Sequence, residues 1–254
     1  MSLIEFENVT LARKDRIALN SLSLKINEGE HVAILGPNGS GKSSLIKTIT
    51  RELYPLQGSS VKILSRTRWN IFELRSQLGI VSNDWMLACS RDYTGRETIL
   101  SGFFASVGIW PHHLVTAAME SKADEILKLL EIEHLATRLI SEMSSGEARR
   151  FLIGRALVHN PSAVIFDEPT NSLDFRSTHE VREILRKLSS NTSIILVTHN
   201  LADLIPEIER IILIRDGRVF MDGPKELVLT SANLTELFGL PVELGVRDGY
   251  FHIW

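Results

Sequence analysis

The chain has 254 residues, a formal net charge of −3 at pH 7 and 44% hydrophobic residues, which suits one large globular α/β domain or two small ones, with a sizeable core. The slight acidic excess and the lack of a basic tract argue against direct nucleic-acid binding. One cysteine, Cys89, excludes an internal disulfide and fits a reducing compartment. The sequence shows no signal-peptide layout and no apolar run long enough to cross a bilayer.

The first 35 residues indicate two kinds of strand. Apolar and polar residues alternate around Ile4 and Phe6, and again around Leu22 and Leu24, as in strands with one buried face. Residues 32–35 are all apolar, as in a strand that is buried on both faces. This order predicts an antiparallel β layer beside a buried parallel sheet.

The rest of the chain alternates between strand and helix signals. We predict strands at 61–64, 78–81, 163–166 and 194–197, helices at 147–159 and 181–188, a hairpin at 211–220, and a small helix at 234–238 before a closing strand pair. Residues 84–146 have mostly helical patterns and interrupt the α/β core. We therefore expect a single domain over 1–254, with its core at 1–83 and 147–220, a helical subdomain at 84–146 and a C-terminal extension at 221–254.

A glycine-rich loop between the strand at 32–35 and the next helix carries the strongest motif. It fits the phosphate-loop pattern G-x-x-x-x-G-K-[ST] with Gly36, Pro37, Asn38, Gly39, Ser40, Gly41, Lys42 and Ser43, followed by Ser44. Such a loop directs backbone N–H groups at an anion at the positive end of a helix. We expect Lys42 to reach the outer phosphates of a nucleoside triphosphate and Ser43 to bind Mg²⁺. The alternative is an accidental glycine-rich loop, which the strand and helix context disfavours.

Two carboxylates close the apolar strand at 163–166. Because neighbouring side chains on a strand point to opposite sides, Asp167 and Glu168 can serve different purposes. We expect Asp167 to help fix Mg²⁺ through its water shell, and Glu168 to orient or deprotonate the water that attacks the γ-phosphate. The alternative is a pair of helix-capping acids at the end of a strand.

Residues 167–174, together with residues 143–147, resemble the ATP-binding cassette (ABC) ATPases, and the resemblance extends over nearly the whole chain. It implies a P-loop NTPase (RecA-like) core with an antiparallel β subdomain and an inserted helical subdomain. It also implies Mg²⁺-dependent ATP hydrolysis by two copies of the chain that associate head to tail. The expected partner is a separate transmembrane permease, and the expected location is the cytoplasmic face of the membrane.

In this family a serine–glycine signature at the tip of a helix faces the γ-phosphate that the other copy holds. Here the signature is Met143, Ser144, Ser145, Gly146 and Glu147, with Met, Ser and Glu where Leu, Gly and Gln are commonest. The same residues also fit a capping box, in which Ser144 and Glu147 close the helix start. Both interpretations can hold together, because a serine-capped helix end is a natural anion site.

The resemblance implies four further site residues. His199 corresponds to the switch histidine that contacts the γ-phosphate and holds Glu168 and the attacking water. Asp174 corresponds to the aspartate that bridges the two nucleotide sites, although it also fits a helix N-cap. Arg13 lies where the family usually has an aromatic residue that stacks on adenine, and an arginine plane can also stack on a purine. Asn83 lies where the family has a metal-linking glutamine, and it equally fits a plain turn.

Three functions are compatible with these residues. We favour the ATPase subunit of an ABC transporter. The first alternative is a soluble ABC ATPase that acts on a protein or nucleic-acid complex without a membrane partner. The second is a nucleotide-gated binding module that hardly hydrolyses ATP, which Glu168 and His199 disfavour.

Overall fold

The computed structural model describes residues 1–14, 16–82, 93–247 and 249–253. It divides the chain into two compact units, Met1–Ile71 with Ser189–Trp254, and Phe72–Leu188. The domain boundaries that we expect from the sequence stay a prediction. Asn83 and the proposed role of its side chain lie outside the described residues.

The first unit opens with a three-stranded antiparallel sheet. Its strands are β1 (Ser2–Arg13), β2 (Arg16–Asn27) and β4 (Ser60–Ile63). Ile4 pairs with Ile26 on one side and with Ile63 on the other, and all three side chains are buried. The predicted antiparallel layer is therefore confirmed. Strand β4 ends one residue earlier than predicted, because Leu64 takes a left-handed conformation with φ 47°.

The strand β3 (Val32–Leu35) and the helix α1 (Lys42–Ile49) flank the predicted phosphate loop. All four residues of β3 are buried, as their apolar side chains require. Helix α1 turns a buried face inward with Leu45, Ile46 and Ile49, which is the 3.6-residue spacing of an amphipathic helix. The strand–loop–helix arrangement that the motif needs is thus present.

The second unit combines two parallel strands with helices. In chain order the elements are α2 (Ile71–Gln77), β5 (Leu78–Val81), α3 (Gly95–Ser101), α4 (Ala117–Leu129), α5 (Ser145–Leu157), β6 (Ala163–Asp167) and α6 (Phe175–Ser189). Strands β5 and β6 pair in parallel, with Val81 beside Phe166. Helix α5 begins two residues before the predicted start, because Ser144 caps it.

The chain then completes the first unit with β7 (Ser193–Thr198), β8 (Arg210–Arg215) and β9 (Arg218–Pro224). Strand β3 pairs in parallel with both β7 and β8, so Leu35 lies between Thr198 and Leu213. Strand β9 pairs with β8 as the predicted hairpin. The elements α7 (Lys225–Val228), α8 (Ser231–Phe238), β10 (Leu244–Arg247) and β11 (Tyr250–Ile253) follow.

Strands β10 and β11 pair antiparallel, which confirms the predicted closing strand pair. Within the described parts of the chain, none of the helices combines the length and the apolar composition that a bilayer-spanning helix needs.

Candidate functional site

The curvature of the phosphate loop, residues 36–41, depends on its glycines. A side chain at Gly36 would overlap the carbonyl oxygen of Ile214. At Gly41 the φ angle is 111°, and a Cβ atom would lie 2.6 Å from the carbonyl oxygen of Ala18. Because only glycine tolerates both the conformation and the close approach, these positions fix the curvature of the loop.

The N-terminus of α1 offers backbone donors to an anion. Among the described residues, no side chain caps this end, and its first turn carries no acidic residue. The first N–H groups of a helix lack partners within the helix, and they favour a negative charge. The hydroxyl of Ser40 is buried beside them without a hydrogen-bond partner in the described structure. This donor set suits an anion such as a phosphate group.

Lys42 is buried at the mouth of the loop. Its Nζ atom donates to the carbonyl oxygen of Gly36 at 2.7 Å and to that of Pro37 at 3.1 Å, so the ammonium group lies within the curve of the loop. Ser43 is exposed and Ser44 is buried in the same helical turn. The structure therefore brings together the Lys42 ammonium group, a serine hydroxyl and the first backbone N–H groups of α1, which lack partners within the helix.

Arg13 is exposed at the end of β1 and pairs with Arg16 at the start of β2. Two residues further along β2, the carbonyl of Ala18 makes the close approach to Gly41. The hairpin that carries Arg13 is thus packed on the phosphate loop through its second strand.

His199 leaves the same sheet edge as the phosphate loop. Thr198 and Leu35 are partners in the parallel strands β7 and β3, and each is the last residue of its strand. Because the carboxyl ends of parallel strands meet at one edge of a sheet, His199 and Gly36 emerge side by side. His199 is exposed there.

Asp167 and Glu168 differ from the sequence prediction in one respect. Asp167 is the last residue of β6 and is half-buried. Glu168 lies outside the strand with φ 50°, and its carbonyl accepts from the Asn171 N–H at 3.2 Å. Strand alternation therefore does not decide how the two side chains are separated, because Glu168 lies in a left-handed turn after the strand. Such conformations cost a non-glycine residue about 1–3 kcal/mol and cluster at functional sites.

Ser144 and Glu147 form the capping box at the start of α5. The Ser144 hydroxyl accepts from the Glu147 N–H at 3.2 Å, and the Glu147 carboxylate accepts from the Ser144 N–H at 2.8 Å. The bond from the Ser144 N–H is the largest cause of a lowered pKa for Glu147, and a bond that the Ser144 hydroxyl donates to the same carboxylate lowers it further. Ser144 and Ser145 are exposed at the helix tip. Gly146 is buried, and a side chain there would overlap Ser177.

Asp174 caps the next helix, α6. Its Oδ1 atom accepts from the Ser177 N–H at 2.7 Å, and this bond is the largest cause of a lowered pKa for Asp174. Asp174, Ser144 and Glu147 all line one cleft of about 680 Å³ in the second unit. The structure therefore brings Ser144 and Glu147 of the signature together with Asp174, the predicted bridging aspartate, at one surface.

One residue of this unit escaped the sequence analysis. Arg149 in α5 is only 2% exposed. Burial lowers the pKa of its guanidinium, and the negative charge of Asp167 opposes that shift. The available signal was the adjacent pair Arg149 and Arg150, because successive residues of a helix cannot both face the same side.

Comparisons with known proteins identify the chain. A family model described as ABC transporter matches residues 19–171. An ABC transporter ATP-binding protein of Streptococcus mutans is 31% identical over 260 residues, which cover 100% of this chain and 98% of that protein. This chain belongs to the ABC transporter family.

Solved structures of ABC cassettes share the fold of this one. An ATP-binding cassette of an ABC transporter in its ADP conformation has a TM-score of 0.81 at 25% identity, covering 94% of this chain and 98% of its own. A dimeric cassette in a post-hydrolysis state with ADP and Pi has a TM-score of 0.72 at 28% identity, covering 87% and 98% respectively. The predicted family, the P-loop NTPase fold and the role of an ATP-hydrolysing transporter subunit are confirmed.

Proposed function

We propose that this ABC cassette holds ATP and Mg²⁺ in the pocket of its phosphate loop and hydrolyses the ATP with Glu168 and His199. The observation that carries the proposal is the loop itself. Its two sterically required glycines, the N-terminus of α1, which none of the described side chains caps, and the buried Lys42 form one anion-binding cradle. Neutralisation by Lys42 and by the helix dipole favours the bound triphosphate.

Mg²⁺ fits the oxygen donors that the chain supplies. Ser43 offers an exposed hydroxyl and Asp167 a half-buried carboxylate, and Mg²⁺ in nucleotide sites is held by few protein oxygens together with phosphates and waters. The ion would neutralise charge on the phosphates during transfer. Glu168 would orient or deprotonate the attacking water, and His199 would contact the γ-phosphate.

The second part of the proposal is that two copies close head to tail over ATP. Ser144 and Ser145 are exposed at the tip of the 13-residue helix α5, so a second molecule can reach its positive end. We propose that the signature of one copy covers the γ-phosphate held by Lys42 of the other. Asp174 lines the same cleft as Ser144, which supports a role for Asp174 between the two nucleotide sites.

The third part is a permease partner. Family membership supports a separate transmembrane subunit that this cassette drives from the cytoplasmic face of the membrane. Nucleotide-dependent closing and opening of the cassette pair would move that subunit. The base of the nucleotide would lie against the hairpin that carries Arg13.

Nucleotide binding is tested with Lys42→Ala and the matched variant Lys47→Ala, which removes a part-buried lysine from the last turn of the same helix. We expect Lys42→Ala to weaken ATP binding by at least about tenfold, because it removes the cation of the cradle. Lys47→Ala should bind like the unmodified chain. Equal binding by all three proteins would contradict the assignment of the loop.

The permease is tested by fractionating cells that express the chain at its natural level. We expect part of the cassette to sediment with membranes and to co-purify with a polytopic membrane protein. Recovery only from the soluble fraction, in ATP and in ADP alike, would instead support the soluble class of ABC ATPase.

A further inference from the structure

The turn that follows β7 is organised by a buried carboxylate. Thr198 is the last residue of β7, and a short 3₁₀ helix, Leu201–Asp203, begins three residues later. Thr198 is 1% exposed and Asp203 is 2% exposed, whereas His199 and Asn200 between them are exposed. A buried carboxylate requires hydrogen-bond donors around it, and here the donors come from both neighbours of His199.

The two oxygens of Asp203 bind one residue on each side of His199. Its Oδ2 atom accepts from the Thr198 hydroxyl at 2.6 Å, and its Oδ1 atom accepts from the Asn200 side-chain amide at 3.3 Å. The Thr198 hydroxyl in turn accepts from the Asn200 N–H at 3.0 Å. The backbone on both sides of His199 is thus tied to one anchored group.

The position of Asp203 is itself fixed by packing. Leu201, Leu204 and Ile205, the neighbours of Asp203 along the chain, are buried, and the C-terminal strand β11 packs against the 3₁₀ helix. Hydrogen bonds in a dry environment are electrostatically stronger than the same bonds in water. Supporting groups of this kind hold a functional side chain in its productive geometry.

We propose that Asp203 is a positioning residue for ATP hydrolysis, which acts by holding His199 against the γ-phosphate through Thr198 and Asn200. The proposal rests on the role of His199 in the proposed function. Asp203 does not touch nucleotide in this scheme, so its loss should lower the rate of hydrolysis and leave ATP binding nearly intact.

The first test compares the kcat and the KM for ATP of two matched pairs. Asp203→Ala removes the acceptor, whereas Asp203→Asn keeps one oxygen for Thr198. Thr198→Val removes the hydroxyl at constant shape, whereas Thr198→Ser keeps it. We expect Asp203→Ala and Thr198→Val to lower kcat by about tenfold or more, since small displacements of a reacting group cost up to about a hundredfold. The conservative member of each pair should recover most of the rate, and every KM should change by less than about twofold.

The decisive test is a double-mutant cycle with His199→Ala. If Asp203 acts through His199, then Asp203→Ala should lower kcat in the native background and should have no further effect in the His199→Ala background. An equal loss in both backgrounds would show a merely structural role and would overturn the proposal. Thr198→Val provides the same cycle should Asp203→Ala fail to fold.

The outcomes separate this inference from the function on which it rests. If His199→Ala leaves kcat unchanged, the proposed role of His199 is wrong. If His199→Ala lowers kcat but Asp203→Ala and Thr198→Val do not, His199 keeps its role and the positioning role of Asp203 is wrong.

Discussion

Gly41 shows how a single residue controls the nucleotide site. Its φ of 111° would strain any other residue, and a Cβ atom there would meet the carbonyl oxygen of Ala18 at 2.6 Å. Gly58 has a similar φ of 92° with nothing within 4 Å of its Cβ position. An alanine at Gly58 would therefore suffer conformational strain alone, whereas an alanine at Gly41 would suffer both strain and a steric clash.

We expect Gly58→Ala to lower the free energy of unfolding by about 1–2 kcal/mol, the cost of a left-handed alanine. Gly41→Ala should lower it by more and should weaken ATP binding by at least about tenfold, because the backbone must move to relieve the clash. Thermal denaturation and nucleotide titration of both variants give the two quantities. Unweakened ATP binding by Gly41→Ala would contradict the account of the loop.

Individual residues also differ in how far the sequence predicts their structure. Gly36, Gly41 and Lys42 follow from the motif, because the chemistry of a phosphate loop dictates the residue types. The left-handed conformation of Glu168 follows from no local pattern, since glutamate rarely adopts it. The adjacent pair Arg149 and Arg150 indicates that one of the two arginines faces inward, but the influence of the Asp167 charge on Arg149 depends on tertiary packing, which the sequence does not reveal.

At the scale of elements, the starts of α3 and α5 form a natural comparison. Both helices begin with a capping box, Thr94 with Glu97 and Ser144 with Glu147. Loss of a capping hydroxyl costs about 1 kcal/mol of stability. Only the α5 cap lies in the proposed nucleotide-facing signature.

We expect Ser144→Ala and Thr94→Ala to lower the free energy of unfolding by similar amounts, about 1 kcal/mol each. Only Ser144→Ala should also lower the kcat for ATP, because its hydroxyl is proposed to face the γ-phosphate. Denaturant unfolding and steady-state phosphate release measure both effects. Equal phosphate release by the two variants would reduce Ser144 to a structural cap.

The capping box of Ser144 and Glu147 should make the free energy of unfolding depend on pH. The pKa of Glu147 is lowered in the folded chain, so its contribution to stability is present above the pKa of an unfolded glutamate. That contribution is lost as the pH falls through the lowered folded value. Glu147→Gln can keep the box but does not titrate.

We therefore expect the stability advantage of the native chain over Glu147→Gln to be greatest near neutral pH and to shrink on acidification. Denaturant unfolding of both proteins from pH 7 downward measures this difference. A difference that does not change with pH would show that the capping bonds do not depend on the charge of Glu147.

Elements with strong periodicity or clear turn chemistry could be predicted from the sequence. The apolar strands β3 and β7 fit their predicted positions, and the β8–β9 hairpin turns at Asp216 and Gly217, both with positive φ, as an Asp-Gly turn favours. Contacts between distant elements could not be predicted. Gly146 in α5 packs closely on Ser177 in α6, and the sequence of neither segment indicates this contact.

At the scale of the whole molecule, the account requires ATP to join two copies. Glu168→Gln should bind ATP but hardly hydrolyse it, because the water would lack its base. We expect this variant to sediment as a dimer in ATP and Mg²⁺ and as a monomer in ADP. Glu168→Gln combined with Ser144→Arg should stay monomeric in ATP, because the bulky side chain would block the signature. The matched combination with Thr94→Ala should still form dimers.

The most direct measurement is a structure of Glu168→Gln with ATP and Mg²⁺. We expect the Ser144 hydroxyl of one copy within hydrogen-bond distance, about 3 Å, of a terminal phosphoryl oxygen held by Lys42 of the other copy. A structure in which ATP fills the phosphate loop while Ser144 lies far from every γ-phosphate, in all assemblies present, would contradict the central claim.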